Sequence, residues 1–358
     1  MKISFKKILA LGVSLMLLFS VVAGCGGSTT SGNTATGANK DAVELKLAHH
    51  NSINSFLCTA GTAPMIKAIE ETSNGKIKIT EYPSQTLCKA AETYDAMVSG
   101  ITDIGMAYLG YTPSRFPLSE VINLPMMGFN TAAEAAETIW TLYSQTDLIK
   151  DEFKDIHVLT FIVTDPSRIT TNFPLRTKAD FAGKNIRVPG GPSAQFYKAL
   201  GASVIAMPGP DIYQALEKNV IDGLDGLWEM QDNNNLQEVV KYGYDVPVSA
   251  ALWVVGMNQA KWDSLPADVQ EILNQQFGAK GALEISSNVW DKNNPQIIEK
   301  FKKAGVEIST IAPEELATWK AVADETNAKW ASDLDAKGLK GTETLNKAKE
   351  ILQAIQTK

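Results

Sequence analysis

Apolar residues from position 43 onward fall into short stretches that alternate with longer stretches of helical periodicity. Residues 43–48 alternate apolar and polar side chains, which is typical of a half-buried strand. Apolar residues between 65 and 69 then recur at helical spacing, and Ser73-Asn74-Gly75 provides an end for that helix. This alternation of strands and helices predicts an α/β fold.

The same rhythm continues through the rest of the chain with short connections. Further strands are predicted at residues 76–81, 103–108, 158–163, 185–188, 203–206, 220–224 and 252–257. Further helices are predicted at about residues 90–99, 131–149, 192–200, 210–218, 266–301, 313–334 and 343–355. The C-terminal region is therefore expected to be helical.

The N-terminal segment is typical of a secretory signal peptide. Lys2, Lys6 and Lys7 precede an uncharged apolar run at residues 8–23, which is shorter than the usual bilayer span. The run ends in Val22-Ala23-Gly24-Cys25, which resembles the bacterial lipobox and implies that Cys25 is lipidated and becomes the first mature residue. The alternative is an ordinary signal peptide followed by a chance cysteine. Residues 1–24 are thus predicted to be a lipoprotein signal peptide, and residues 25–42, rich in small and polar side chains, a flexible tether.

Composition narrows the functional classes. A length of 358 residues with 44% hydrophobic and 20% charged residues excludes a disordered chain and predicts about two domains. The net charge is -7, and it becomes -10 without residues 1–24, which carry three lysines and no acidic residue. The absence of a basic block argues against a nucleic-acid partner. Because the chain has only three histidines and no cofactor motif, the sequence predicts neither a metal site nor a cofactor.

Catalytic motifs are absent from the sequence, including a nucleophile elbow, a zinc-protease motif, a P-loop and a dinucleotide fingerprint. His49-His50 follows the first strand and either contacts a ligand or forms local hydrogen bonds in a loop. Asp222 and Asp225 lie three residues apart and either act as paired carboxylates or, as we favour, cap the backbone at a strand end. No catalytic residue is assigned.

Arg187 is the candidate binding residue that the strand pattern singles out. In Ile186-Arg187-Val188, the apolar neighbours share one face of the strand and the arginine points to the other. An arginine keeps its charge, so at the partly buried end of a central strand it requires an anion. That anion is either a carboxylate of the protein or a ligand, and an exposed strand face would also account for the pattern.

The sequence resembles the substrate-binding proteins of TRAP transporters, which capture organic acids outside the membrane. The resemblance covers roughly residues 43–335. The residues that carry it are Gly75-Lys76-Ile77-Lys78-Ile79, Tyr82-Pro83, Gln85-Thr86-Leu87, Val98-Ser99-Gly100-Ile101-Thr102-Asp103, Leu124-Pro125, Phe173-Pro174-Leu175, Ala179-Asp180-Phe181-Ala182-Gly183-Lys184-Asn185-Ile186-Arg187-Val188-Pro189, Leu200-Gly201-Ala202, Met207-Pro208, Ile212-Tyr213-Gln214-Ala215-Leu216 and Val220-Ile221-Asp222-Gly223.

The resemblance implies a two-lobed periplasmic-binding-protein-like fold, with hinge strands between the lobes and a ligand cleft. Lobe I is expected to comprise residues 43–165 and about 250–290, and lobe II residues 166–249 and about 291–358. In the family, the arginine of the Arg-Val-Pro strand pairs with the ligand carboxylate, which maps onto Arg187. The full set of expected ligand-binding residues is Arg187, Arg168, Tyr108, Trp228, His49 and Asn172.

The chain also departs from particular branches of this family. Gly226 and Tyr108 replace the Asn and the acidic residue of sialic-acid-binding members, which disfavours that ligand. Trp228-Glu229 reverses the Glu-Trp order of a metal-assisted branch, so no bound cation is expected. Tyr108, Tyr111, Phe116 and Trp228 are either an aromatic pocket lining or core residues. In this family frame Cys58 and Cys88 occupy adjacent loops at the cleft rim, and a disulfide between them is a hypothesis.

The leading hypothesis is an extracytoplasmic receptor, anchored to the cell membrane by the lipid on Cys25. It binds a small organic acid by cleft closure and delivers it to the TRAP permease subunits, acting as a monomer and not as an enzyme. The alternatives are an ABC-importer binding protein and a lipoprotein enzyme that acts on a carboxylate substrate.

Overall fold

The computed structural model describes residues 42–112, 114–207 and 209–358, and in these ranges the strands form two mixed sheets flanked by helices. The predicted signal peptide, the predicted lipidation site Cys25 and most of the predicted tether lie outside the described residues. The strands are β1 (Val43–Ala48), β2 (Ile77–Tyr82), β3 (Ile104–Tyr108), β4 (Ile156–Val163), β5 (Arg168–Thr171), β6 (Asn185–Val188), β7 (Ser203–Ala206), β8 (Gly223–Gly226), β9 (Tyr242–Tyr244), β10 (Leu252–Asn258) and β11 (Glu307–Ser309).

The first sheet has the strand order β2-β1-β3-β10-β4. β1 pairs with β2 and β3 in parallel, whereas β10 runs antiparallel between β3 and β4. Leu45 and Leu47 of β1 are buried and alternate with exposed residues, as the pattern predicts for a half-buried strand. β10 is buried on both faces and reads as a nearly continuous apolar run, because helices cover this part of the sheet.

The second sheet has the strand order β11-β9-β5-β8-β6-β7. β6 pairs in parallel with β7 and β8, and β5 runs antiparallel to β8 and β9. β6, which carries Arg187, is therefore an inner strand. We call each sheet with the helices packed on it a lobe, the first sheet belonging to lobe I and the second to lobe II.

The chain crosses between the lobes through two adjacent segments, residues 164–167 and 245–251. Thr164 donates its backbone N–H to the Ala251 carbonyl at 3.0 Å, and Ser167 donates to the Ser249 carbonyl at 2.8 Å. The two crossings are thus hydrogen-bonded to each other where they pass from one sheet to the next.

Helices fill the space around both sheets. They are α1 (Ala63–Thr72), α2 (Thr93–Val98), α3 (Ala132–Gln145), α4 (Pro192–Ala199), α5 (Ile212–Glu217), α6 (Trp228–Asn233), α7 (Gln259–Asp263), α8 (Ala267–Gln276), α9 (Gly278–Ser286), α10 (Asn294–Lys303), α11 (Pro313–Asp335) and α12 (Gly341–Gln356). None of the helices in the described ranges is long and apolar enough to cross a membrane.

Helix α11 contributes to the cores of both lobes. Trp319 and Ala323, in its first half, belong to the core of lobe II. Ala331 and Leu334, near its end, belong to the core of lobe I. Between them, buried Asn327 donates its Nδ2 to the Pro125 carbonyl at 2.9 Å. The helix therefore also connects the two lobes.

The C-terminal helix packs on lobe I, which differs from the expected placement of residues 291–358 in lobe II. Leu345, Ala348 and Leu352 of α12 share a core with Ala135 and Ile139 of α3. The long α11 carries the chain back across the molecule, so that the apolar stripe of α12 meets α3 rather than the second sheet.

The α/β fold with two lobes and a helical C-terminal region is confirmed, but one predicted helix is wrong in its extent. The helix expected over residues 266–301 is divided into α8, α9, a π-helical turn at Ser287–Asp291 and α10. The first break lies at Gly278, whose φ of +44° lies in the left-handed region that glycine adopts at little cost. Pro295 in the first turn of α10 begins a new helix after the second break.

Candidate ligand-binding site

A cavity of about 520 Å³ lies between the two sheets and is lined by residues of both lobes. Lobe I supplies the loop with Asn51, Ser52 and Ser55 and the segment from Tyr108 to Tyr111. Lobe II supplies β6, the start of α4 and residues around Asp225, while the two crossing segments supply Ser167 and Ser249. The volume is within the usual range for a site that holds one small organic molecule.

Arg187 lies on the wall of this cavity, as the strand pattern indicated. Its neighbours Ile186 and Val188 are fully buried on the opposite face of β6, and its own exposed fraction is 6%. Its Nε donates to the Met207 carbonyl and its Nη1 to the Asp225 carbonyl, both at 3.0 Å. It forms no salt bridge with any residue in the described ranges. Carbonyl oxygens thus fix the guanidinium in place without neutralising it.

Burial lowers the pKa of Arg187, against the opposing influence of Asp225, Tyr108 and Tyr111. An arginine in such surroundings stays charged, and its guanidinium matches a carboxylate in a two-pronged geometry. The start of α4 lies beside it, where Gly190 and Gly191 have φ values of +118° and +66° and turn the chain into the helix. Helix N-termini favour anions, so this wall of the cavity is built to accept one.

The facing wall, from lobe I, is aromatic. The ring of Tyr108 lies 4.8 Å from that of Tyr111 and 4.7 Å from that of Trp253, measured between centroids. Burial raises the pKa of Tyr108 to about 12, so its hydroxyl stays neutral. Tyr108 and Tyr111 meet edge to face, and the Tyr108 and Trp253 rings are tilted by 36°, so together they form an aromatic surface that suits an apolar or aromatic ligand.

Asp225 brings a buried carboxylate into the cavity. The residue is fully buried, and neither carboxylate oxygen has a hydrogen bond of ordinary geometry within the described part of the chain. Burial raises the pKa of Asp225 to about 6, although the Ser167 hydroxyl and the Arg187 guanidinium hold it below the value that burial alone would give. Glu120 and Glu229 also line the cavity, and burial raises the pKa of both.

This position of Asp225 corrects one of our two interpretations of the Asp222 and Asp225 pair. Asp222 does cap the backbone, since its Oδ2 accepts the Asn185 N–H at 2.8 Å. Asp225 instead faces the cavity and caps nothing. In the pairing of β6 with β8, Arg187 lies opposite Leu224, and it contacts Asp225 through the Asp225 backbone carbonyl, so the sequence pattern alone gave no sign that the Asp225 side chain reaches the cavity.

Four of the residues expected to bind a ligand do not line the cavity in this structure. Arg168 pairs its Nε with Asp245 Oδ1 at 2.8 Å. Asn172 follows β5, and its backbone N–H donates to the Asp222 carbonyl. Trp228 is 1% exposed and packs on Phe301, so for this ring the core interpretation holds. The fourth, His49, lies behind the cavity loop.

Phe116, the remaining aromatic candidate, is also a core residue, stacked on Phe153 at 5.1 Å. Trp253 and Ser249 are among the cavity residues that were not predicted. They lie on and beside the return strand β10, whose end at the cavity depends on how the two sheets meet.

The hypothesis of a disulfide between Cys58 and Cys88 is wrong for this structure, in which both are free thiols. The Cys58 sulfur lies 3.8 Å from His49 Nε2, whereas the Cys88 sulfur faces Thr93 Oγ1. Cys58 is directed into the protein from a π-helical turn at Leu57–Thr62, away from the loop surface where Cys88 lies.

His49, Cys58 and Glu81 form a buried group behind the cavity loop. His49 Nε2 lies 2.9 Å from Glu81 Oε1, which also accepts a hydrogen bond from Thr62. Burial would lower the pKa of His49, but the Cys58 and Glu81 side chains outweigh it and raise the pKa to about 9. The adjacent His50 has its pKa lowered to about 4, by burial and by the charge on His49.

Residues 47–333 match the family model DctP, described as bacterial extracellular solute-binding protein, family 7. A curated relative is the C4-dicarboxylate-binding periplasmic protein DctP of Rhodobacter capsulatus. It is 25% identical over 286 residues, which cover 77% of this chain and 83% of that protein.

Solved structures of TRAP solute-binding proteins resemble this one over most of the chain. A marine metagenome protein specific for aromatic acid ligands, in complex with metahydroxyphenylacetate, has a TM-score of 0.80 and 26% identity, covering 87% of this chain and 99% of that one. A protein from Rhodoferax ferrireducens, in complex with copurified benzoate, has a TM-score of 0.80 and 27% identity, covering 88% and 99%.

Proposed function

The chain belongs to the bacterial extracellular solute-binding protein family 7, the DctP family, and from this membership we propose that it is the receptor of a TRAP transporter. It captures a small organic acid outside the cytoplasm and delivers it to the membrane permease. The observation that carries this proposal is Arg187, a buried cation on the cavity wall without a salt bridge in the described part of the chain. A ligand carboxylate supplies the missing anion.

We propose further that the ligand is an aromatic monocarboxylic acid. The wall opposite Arg187 consists of Tyr108, Tyr111 and Trp253, against which a planar ring can pack. The relatives of known structure named above are in complex with metahydroxyphenylacetate and benzoate. A ring held between this wall and a carboxylate held by Arg187 would occupy both sides of the cavity.

The acidic residues of the cavity favour one carboxylate over two. Arg187 is the only cationic side chain among the lining residues of the described chain, whereas Asp225, Glu120 and Glu229 are acidic. A second ligand carboxylate would lie near these groups and be repelled or require their protonation. Asp225, whose oxygens have no hydrogen bond of ordinary geometry to any described residue, would instead accept a hydrogen bond from a hydroxyl group on the ligand.

Isothermal titration calorimetry of the ligand-free protein tests these statements. We expect 3-hydroxybenzoate to bind more tightly than benzoate, and benzoate more tightly than succinate, a C4-dicarboxylate. Arg187→Ala should weaken binding by roughly 2 to 5 kcal/mol, at least about 30-fold, as for one partner of a buried charge pair. Arg176→Ala, at an arginine that does not line this cavity, is the matched control and should bind normally.

Two results would contradict the proposal. Tighter binding of succinate than of both aromatic acids would exclude the proposed ligand class. Unchanged affinity in Arg187→Ala, with a normal circular dichroism spectrum, would place the ligand carboxylate elsewhere.

We also propose that the N-terminal segment anchors the protein. Lipid on Cys25 would hold it to the cell membrane, with residues 25–42 as the tether, and a monomer would close its two lobes over the ligand. In metabolic labelling with a fatty acid, Cys25→Ser should abolish the label and release the protein from the membrane fraction. A labelled, membrane-bound variant would contradict this assignment. Sedimentation velocity of the ligand-bound protein measures the oligomeric state.

A further inference from the structure

His49, Cys58 and Glu81 offer one ligand atom each from three different elements. His49 follows the end of β1, Cys58 lies in the π-helical turn at Leu57–Thr62, and Glu81 lies in β2. Their nitrogen, sulfur and oxygen atoms all lie within 4.8 Å of one another. His49 and Cys58 are each 1% exposed, and the Glu81 side chain is 12% exposed, so the group is buried but is reached by solvent from the Glu81 side.

We propose that these three side chains bind a divalent transition-metal ion that accepts thiolate and imidazole ligands, of which Zn²⁺ is the prime example. This assignment is separate from the organic-acid site and goes beyond the proposed function. A thiolate, an imidazole nitrogen and a carboxylate oxygen are the ligand types that such an ion prefers in proteins. Three protein ligands leave a fourth tetrahedral position open for water.

Two of the three distances between the ligand atoms are near those expected around a tetrahedral ion, and the third is no longer than 4.8 Å. Metal–ligand bonds of about 2.0 to 2.3 Å place neighbouring ligand atoms roughly 3.3 to 3.7 Å apart. Cys58 Sγ and His49 Nε2 are 3.8 Å apart, so this pair needs almost no movement. His49 Nε2 and Glu81 Oε1 are 2.9 Å apart, a hydrogen-bond distance that must widen by about 0.4 Å. Thr62 donates to Glu81 Oε1 and already orients this carboxylate.

Such an ion would fasten one wall of the ligand cavity. The loop between His49 and Cys58 carries Asn51, Ser52 and Ser55, all of which line the cavity. Metal bonds at both ends of this loop, together with one to β2, would restrict its motion. A loop that is already held in its binding conformation loses less conformational entropy when the ligand binds. We therefore expect the metal ion to increase stability and to tighten organic-acid binding.

Titration of the metal-free, full-length protein with Co²⁺ tests the site directly, because a cobalt–thiolate bond produces a charge-transfer band in the near ultraviolet. We expect one equivalent of Co²⁺ per chain to produce the band and Zn²⁺ to displace it. Cys58→Ser should remove the band and weaken Co²⁺ binding at least tenfold. Cys88→Ser, at the other free cysteine of the described chain, is the matched control and should retain both.

A second variant tests the site independently in case Cys58→Ser does not fold. His49→Gln keeps the thiol but removes the imidazole, and we expect it to weaken Co²⁺ binding at least tenfold while its circular dichroism spectrum stays normal. Absence of the band in the wild-type protein would overturn the proposal and leave the group as a hydrogen-bond network. A band that survives Cys58→Ser, or that disappears in Cys88→Ser, would also overturn it.

Discussion

Replacing Asp225 with asparagine should make the protein more stable at neutral pH. The carboxylate is fully buried, and its pKa rises from an ordinary 3.8 to about 6. The folded chain therefore holds the proton more tightly than the unfolded chain, so ionisation of Asp225 opposes folding as the pH rises above about 4. Asparagine has nearly the same shape and removes the charge.

The size of the effect follows from the two pKa values. With 3.8 in the unfolded chain and about 6 in the folded one, ionisation costs about 3 kcal/mol at pH 7.5 and about 1 kcal/mol at pH 4.5. The gain from Asp225→Asn should therefore shrink by about 2 kcal/mol between these two pH values. Burial of Glu120 and Glu229 acts in the same direction in both proteins and cancels in the difference.

Urea unfolding followed by tryptophan fluorescence measures this difference at both pH values. Asp333→Asn, on the exposed face of α11 and paired only with Lys329, is the matched control and should change stability by less than about 0.5 kcal/mol. Equal urea midpoints of wild type and Asp225→Asn at pH 7.5, or a gain that is the same at pH 4.5, would refute the reasoning. The same variant should lose its preference for 3-hydroxybenzoate over benzoate, since its stability would be gained at the expense of recognition.

Three other predictions concern the packing and the state of the cysteines. Gly223→Ala should lower the free energy of unfolding by about 1 to 3 kcal/mol, because the new Cβ would lie 2.7 Å from the Thr170 backbone oxygen of the neighbouring strand; an unchanged urea midpoint would contradict this contact. Alkylation of the unfolded, unreduced protein should label both Cys58 and Cys88, and a mass that shows an intact bridge would contradict the free thiols. Ending the chain after Gly338 should lower stability by more than about 5 kcal/mol, because α12 buries Leu345, Ala348 and Leu352 against α3; thermal unfolding at the wild-type temperature would show that this contact contributes little.

Elements with strong local patterns were predicted well from the sequence. β1, β6 and β7 have the predicted bounds, because alternation over four to six residues and clear turn signals define them. The orientation of Arg187 followed from the same alternation. β5, β9 and β11 were missed, because each forms a strand through its pairing within the second sheet and not through a local apolar pattern.

The candidate site was predictable only in part, because it forms where separate elements meet. Tyr108 and Trp228 are both aromatic residues close to a strand end, yet one lines the cavity and the other packs on Phe301. Sequence alone does not separate these two environments. Cys58 and Glu81 lie nine and 32 residues after His49 in the sequence. This spacing matches no metal motif, and only the fold brings the three residues together.

The long helix α11 has a mechanical consequence. At about 1.5 Å per residue its 23 residues span roughly 34 Å, and its two halves are embedded in different lobes. Any rotation of one lobe towards the other must therefore bend this rod as well as twist the paired crossings at residues 164–167 and 245–251. Helices resist sharp bending but tolerate gentle curvature. A bent α11 would then store elastic energy when the lobes close and release it when the lobes open and the ligand leaves.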